Sequence, residues 1–211
     1  MPTVVFPLKD IEEAVFKASS FLKDGKSAAF PTETVYGLGA MISNESAVLK
    51  IYEIKGRAPE KPLSVLISSA KDMEEIATDI PSAAFLLAER FWPGPMTLIL
   101  KKKAGISNRI TAGKDTVGLR VPAHPFALKL VQTVGPLACP SANLSNSKEP
   151  KSAADVLNEL SGKIDLLIDG GETQFQKPST IIDLTKEPPQ ILRVGGLDVS
   201  EIEKVIGGVI L

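Results

Sequence analysis

The stretch Lys55-Gly56-Arg57-Ala58-Pro59-Glu60-Lys61-Pro62 sets Lys55, Arg57 and Lys61 on one short basic turn. Its two prolines restrict the backbone, so the charges are held together at reduced entropic cost. Such a turn suits a polyanion, phosphate above all. On a purely structural reading Lys55 complements a helix dipole, Gly56 is a left-handed C-cap and Arg57 is a solvated charge. A second cluster, Pro31-Thr32-Glu33-Thr34-Val35-Tyr36-Gly37-Leu38-Gly39-Ala40, packs hydroxyls, a carboxylate and two glycines behind a short apolar strand. Strand-to-loop junctions of this kind are usual addresses for ligands, although threonines can also simply cap a turn. The third, Pro140-Ser141-Ala142-Asn143-Leu144-Ser145-Asn146, has small side chains that could leave backbone N–H groups free as an anion-binding nest, or form an ordinary turn.

Other chemistries are less well provided for. His124 is the single histidine and precedes Pro125 at a predicted helix start, where it suits a cap. A histidine-based nucleophilic enzyme would have to depend on it alone. Cys139 is the single cysteine, which excludes an internal disulfide and a multi-cysteine zinc site and fits a reducing, cytoplasmic setting. There is no Gly-x-x-x-x-Gly-Lys-Ser/Thr, and Gly37-Leu38-Gly39 lacks the third glycine of a dinucleotide fingerprint. A nucleotide would therefore be held by side chains and irregular loops.

Positioning these clusters requires a scaffold, and its periodicity is readable. Helices are expected from Asp10 to Gly25, over Glu45–Ile54 with Asn44 as N-cap and Gly56 as stop, and over Lys71–Ala77, Ser82–Phe91 and Pro125–Val134, with another from Ser152. Strands are expected at Ser27–Phe30, Leu63–Ile67, Met96–Leu100, Thr116–Val121, Leu137–Cys139, Ile164–Ile168, Thr180–Leu184 and Gln190–Arg193, with a tight turn at Asp169-Gly170-Gly171. Lys101, Lys102 and Lys103 read as a solvated strand edge or as contacts for RNA phosphates. The alternation is too irregular for a doubly wound sheet and shows no internal repeat. The expectation is a single α/β (α+β) domain over residues 1–211, with a twisted mixed sheet flanked by helices.

Composition bounds the partners. Hydrophobic residues make up 44% of the 211 and charged residues 23%, enough for a proper core, while a net charge of −1 argues against a protein coated in positive charge for non-specific nucleic-acid binding. Aromatics, at 5%, are too few for an obvious base-stacking platform. Neither a secretory leader nor an apolar run near the ~20 residues of a membrane span is present, so no membrane role is expected.

In order and spacing, Pro31–Leu38, Lys55-Gly56-Arg57, Pro93-Gly94-Pro95-Met96-Thr97, Gly118-Leu119-Arg120-Val121-Pro122, Ser141-Ala142-Asn143-Leu144-Ser145 and Ser179-Thr180 resemble the YrdC-domain threonylcarbamoyl-AMP synthases, from about residue 10 to about residue 197. The resemblance implies an α/β twisted mixed sheet around a positively charged cavity. It also implies a nucleotidyl transfer in which L-threonine, bicarbonate and ATP give threonylcarbamoyl-adenylate and pyrophosphate, for tRNA threonylcarbamoyladenosine. By the same resemblance Lys55, Arg57, Lys61, Thr116, Ser141, Asn143 and Arg193 contact ATP, Lys55 and Arg57 being catalytic, while Thr34, Arg120 and Ser179 hold threonine. Mg²⁺ is expected on the triphosphate, with no protein-built metal cage and no tightly bound organic cofactor. The implied partners are tRNA and downstream threonylcarbamoyl transferase proteins. Leu66 departs from the pattern, since many members carry histidine there, and the length matches the short, single-domain form. The competing reading is a non-catalytic RNA-binding or ribosome-maturation module, double-stranded RNA or tRNA lying in the same basic cavity.

Overall fold

The computed structural model describes residues 2–210. Ten strands form one mixed sheet: β1 (Val4–Pro7), β2 (Ala28–Phe30), β3 (Gly37–Met41), β4 (Ser64–Leu66), β5 (Met96–Lys101), β6 (Thr116–Arg120), β7 (Leu137–Ala138), β8 (Leu166–Asp169), β9 (Thr180–Asp183) and β10 (Gln190–Arg193). Their spatial order is β1-β8-β2-β3-β7-β4-β6-β5-β9-β10. Parallel pairs (β1/β8, β2/β8, β4/β6, β5/β9) are interleaved with antiparallel ones (β2/β3, β3/β7, β4/β7, β5/β6, β9/β10).

Helices cover both faces, which is why the strands read as continuous apolar runs. On one face α1 (Ile11–Lys23) and α6 (Pro125–Val134) bury Ala14, Ala18, Leu22, Phe126 and Leu130 against Ala28, Phe30, Leu137, Leu166 and Ile168. The opposite face carries α2 (Glu45–Lys55), α4 (Ser82–Phe91) and α7 (Ala153–Leu160), joined by Ile202 of α8 (Val199–Ile206), with Ala29, Leu38, Val65, Leu98, Leu119 and Leu167 pointing to them. Adjacent residues of one strand, such as Ala28 and Ala29, thus fall into different cores, as a pleat of period two requires. The short helices α3 (Met73–Ile76) and α5 (Asn108–Thr111) complete the set.

The caps act as their sequences suggest: Asn44 Oδ1 accepts from Ala47 N–H at 3.0 Å, Asp10 Oδ1 accepts from Glu13 N–H at 2.8 Å, and Gly56 closes α2 in the left-handed region at φ 54°. Three expectations need correction. Gly37–Met41 is a strand rather than loop, because Phe30 on the neighbouring strand lies over it: a Cβ on Gly39 would stand 2.7 Å from that ring. The lysines after β5 do not lie at a sheet edge. β5 runs between β6 and β9, Lys101 pairs with Asp79 at 2.6 Å, and Lys102 donates to Asn108 Oδ1 at 2.7 Å. His124 occupies the N-cap position of α6 without a side-chain bond to the helix. Its Nδ1 is buried and has no hydrogen-bond partner, and burial pushes its pKa down.

Candidate active site

Helices α1 and α6 cover only half of their face of the sheet. The other half floors a cavity of about 320 Å³. Its floor takes every second residue of the exposed half: Ser64 and Leu66 from β4, Thr97 and Ile99 from β5, Thr116, Gly118 and Arg120 from β6, Ile181 from β9 and Leu192 from β10. The register aligns Ile99, Gly118 and Ser64 across three strands, so the residue without a side chain lies in the middle of the floor. A Cβ there would come within 3.0 Å of Ile99 Cδ1 and 3.3 Å of Thr97 Cγ2.

Four irregular segments form the walls, one of them the 139–149 stretch that carries Ser141. The first follows β2. Thr32 donates its hydroxyl proton to Val35 O at 2.7 Å and lies 2.8 Å from Thr34 Oγ1, so Thr34 must donate to Thr32 and present its lone pairs elsewhere. The second is the basic turn after α2. Arg57 Nε and Nη2 donate to Lys61 O at 3.1 Å and Pro62 O at 2.8 Å, which folds the guanidinium over its own turn. Lys61 Nζ reaches Asn146 Oδ1 at 3.2 Å. The third wall holds Pro178 and Ser179, with Arg193 from β10 donating through Nε to Ser179 O at 3.0 Å and through Nη2 to Ser179 Oγ at 3.1 Å. Ser179 Oγ also lies 2.8 Å from Thr97 Oγ1.

Of the residues singled out in the sequence, Thr34, Arg57, Lys61, Thr116, Arg120, Ser141, Ser179 and Arg193 are brought together on this cavity. Lys55 and Asn143 are not: both stand behind the wall. The Lys55 ammonium is 2% exposed and donates to Ser141 O at 2.5 Å, Asn143 O at 2.6 Å and Asn143 Oδ1 at 3.2 Å. The Asn143 side chain is saturated too, accepting from Ser141 Oγ at 2.6 Å and donating to Ser147 O and Lys148 O. Lys55 and Asn143 therefore shape the loop that presents Ser141, rather than reaching a ligand themselves. Nor is that loop an open nest, because Ala142, Leu144 and Ser145 donate their N–H groups to Tyr36 O, Glu159 Oε2 and Lys55 O.

Burial dominates the electrostatics. It pushes the Lys55 ammonium down to about 8, with Arg57 adding to the effect and the Glu149 charge opposing it, which leaves it protonated at neutral pH. Arg57 and Arg193 are shifted down by the same desolvation, and the Cys139 thiol, also on the cavity wall, is pushed up to about 12, which makes it inert as a nucleophile. Thr97, Cys139 and Glu149 line the cavity but have no site role in the sequence reading: Thr97 stands there only as a strand residue at the end of the Pro93–Thr97 motif, Cys139 only as the single cysteine and a strand residue, and Glu149 gives no signal, lying in a loop of ordinary polar composition. Glu149 is the one carboxylate among the described cavity-lining residues, and its Oε2 is buried without a hydrogen-bond partner. No group of three or more potential metal ligands occurs among the described residues, and no described helix is long and apolar enough to cross a membrane.

The chain is similar to the threonylcarbamoyl-AMP synthase of Pyrococcus abyssi, with 50% identity over 208 residues, covering 97% of this chain and 61% of that protein. It is 45% identical over 195 residues to the threonylcarbamoyl-AMP synthase of Bacillus subtilis, covering 92% of this chain and 56% of that one. The chain thus spans about three-fifths of the length of these two relatives. Among solved structures, that of P. abyssi Sua5 complexed with L-threonine superposes with a TM-score of 0.95 at 47% identity, over 100% of this chain and 62% of that chain. A family model, Sua5/yciO/yrdC, described as "Telomere recombination", matches residues 20–195. That model covers most of the chain and every cavity-lining residue lies within its match, so the chain belongs to the Sua5/YciO/YrdC family.

Proposed function

We propose that this chain makes L-threonylcarbamoyl-adenylate and pyrophosphate from L-threonine, bicarbonate and ATP, for the threonylcarbamoyladenosine modification of tRNA. The observation that carries the reading is one cavity lined by two unlike sets of side chains. Arg57, Lys61, Ser141 and Arg193 offer cations and a hydroxyl for a polyphosphate, while Thr34, Arg120 and Ser179 offer a guanidinium and hydroxyls for a small hydroxylated amino acid. The threonine-bound P. abyssi relative supports the same assignment.

In this reading Arg120 holds the threonine carboxylate, and Thr34, whose own proton is committed to Thr32, accepts from the amino acid. The amine condenses with bicarbonate, losing water, and a carbamate oxygen then attacks the α-phosphorus as the bond to pyrophosphate breaks. Both partners are anions, so their approach requires fixed positive charge, and more negative charge gathers on the departing pyrophosphate. Arg57, Lys61 and Arg193 supply it. No covalent enzyme intermediate is needed, in keeping with the inert Cys139. Mg²⁺ carried on the triphosphate would find Glu149 as its one neighbouring carboxylate, and the buried, unpartnered Oε2 fits that use; the ion would offset phosphate charge. Residues 1–211 act as one catalytic domain, in the cytoplasm where ATP and tRNA meet. The product is a mixed anhydride, so a downstream threonylcarbamoyl transferase must move the group to tRNA. Lys101 and Lys102 are engaged by Asp79 and Asn108, which weighs against their use on RNA.

Pyrophosphate release, followed by phosphate readout with pyrophosphatase, should require L-threonine and bicarbonate together and should proceed without tRNA. ATP turnover indifferent to threonine would replace this reading with another ligase or a hydrolase.

A further inference from the structure

Glu33 is 3% exposed and does not line the cavity, yet it touches both sides of the amino-acid end. Its Oε1 lies 2.7 Å from Arg120 Nη2, and both side chains are almost fully buried. Its main-chain carbonyl accepts from Phe175 N–H at 2.8 Å, which anchors the segment leading to Ser179. Thr34, the third member of the pocket, follows it directly in sequence.

A carboxylate removed from water to this degree is tolerated only beside a compensating charge. Among the described residues Arg120 is its one ion-pair partner. The contact is close, but its angles are not those of a hydrogen bond, so both Glu33 oxygens lack a donor in this structure. From the other side Arg120 Nε donates to Gly94 O at 3.2 Å. The guanidinium is thus held by one hydrogen bond at Nε and one close ion contact at Nη2 while it lines the cavity. Planar, two-point recognition of a carboxylate depends on where that fork is aimed.

We propose that Glu33 is a positioning residue for amino-acid recognition: it aims Arg120 at the α-carboxylate of the substrate and, through Phe175, holds the Ser179 wall in register with it. The inference rests on the function proposed above. Two effects oppose each other when Glu33 is replaced. Losing its charge leaves Arg120 more attractive to any anion, whereas losing the oxygen packed 2.7 Å from Nη2 lets the guanidinium swing. Orientation wins in Glu33→Ala, which leaves that space open; Glu33→Gln keeps an oxygen of the same reach against Nη2 and so retains the aim.

The test is calorimetric titration of threonine and, separately, ATP into the wild-type chain and the Glu33→Ala and Glu33→Gln variants. Threonine affinity should fall roughly tenfold or more in Glu33→Ala, the range for one misplaced hydrogen bond to a charged group. ATP affinity should stay within about twofold, and Glu33→Gln should restore threonine binding. Where Glu33→Ala is too unstable to titrate, Glu33→Asp decides, since its charge is kept but its reach shortened; it should bind threonine more weakly than Glu33→Gln. Unchanged threonine binding in Glu33→Ala, equal losses for threonine and ATP, or a Gln variant as poor as the Ala or Asp variant overturns the positioning role. A wild-type chain that binds ATP but not threonine overturns the functional reading itself.

Discussion

Arg120→Met should weaken threonine binding by about 2–5 kcal/mol, or roughly 30- to 4,000-fold, with ATP affinity nearly unchanged. The Arg120 guanidinium is the group that takes the threonine carboxylate in the proposed function, and methionine replaces its volume without its charge. The variant also strands the Glu33 carboxylate in a buried position, which should lower folding stability by about 3–5 kcal/mol. The double variant Glu33→Gln/Arg120→Met removes that stranded charge, so its melting temperature should recover while threonine affinity does not. Calorimetry and thermal unfolding of the two variants separate the roles. Recovery of both would mean that Arg120 serves the fold alone.

Lys55→Met carries the other large effect, and it acts at a distance from the ligand. Its ammonium pins Ser141 and Asn143, and loss of a buried donor takes a partner from both main-chain carbonyls at about 1–3 kcal/mol each. The loop bearing Ser141 should loosen and ATP affinity should drop by a comparable amount, about 2–4 kcal/mol. A pH series gives the signature. In the wild type, ATP affinity should decline as pH rises through about 8, where Lys55 loses its proton, and this step should be absent in Lys55→Met. Stability runs the other way. The unfolded chain keeps this proton up to the ordinary lysine value of 10.5 and the folded chain only to about 8, so between those values the unfolded state binds more protons and the contribution of Lys55 to stability rises with pH. A pH-independent ATP affinity across that window would remove Lys55 from the loop's support.

These two residues also mark how far the sequence could be read. Types and spacing identified the basic turn, the hydroxyl cluster and the Arg120 strand, because capping, turn chemistry and apolar periodicity are local. The strand at Thr116–Arg120 and the left-handed Gly56 needed nothing beyond their neighbours in sequence. What a charge faces is not local. Lys55 and Arg57 are two residues apart on one turn, yet the end of α2 directs the first under the 141–146 loop and leaves the second on the cavity wall. The same limit hid Gly37–Met41, whose glycines argue for loop until the Phe30 ring is laid across the backbone. It also hid β1, four residues that pair only with distant β8, and helix α8, whose single fully buried residue is Ile202. Glu33 lies in view within its motif, but its partner Arg120 is far away in the sequence, and nothing local announces an ion pair of that span.

Whether one cavity joins all three substrates is decided by isotopic labelling. The chain is incubated with ATP, L-threonine and ¹³C-bicarbonate, and the nucleotide products are resolved by mass spectrometry. The expected product is an adenylate that contains both the threonine skeleton and the ¹³C label, formed together with pyrophosphate and lost when any one component is withheld. An adenylate of threonine without the labelled carbon, or AMP and pyrophosphate formed without any threonine adduct, would contradict the proposed reaction.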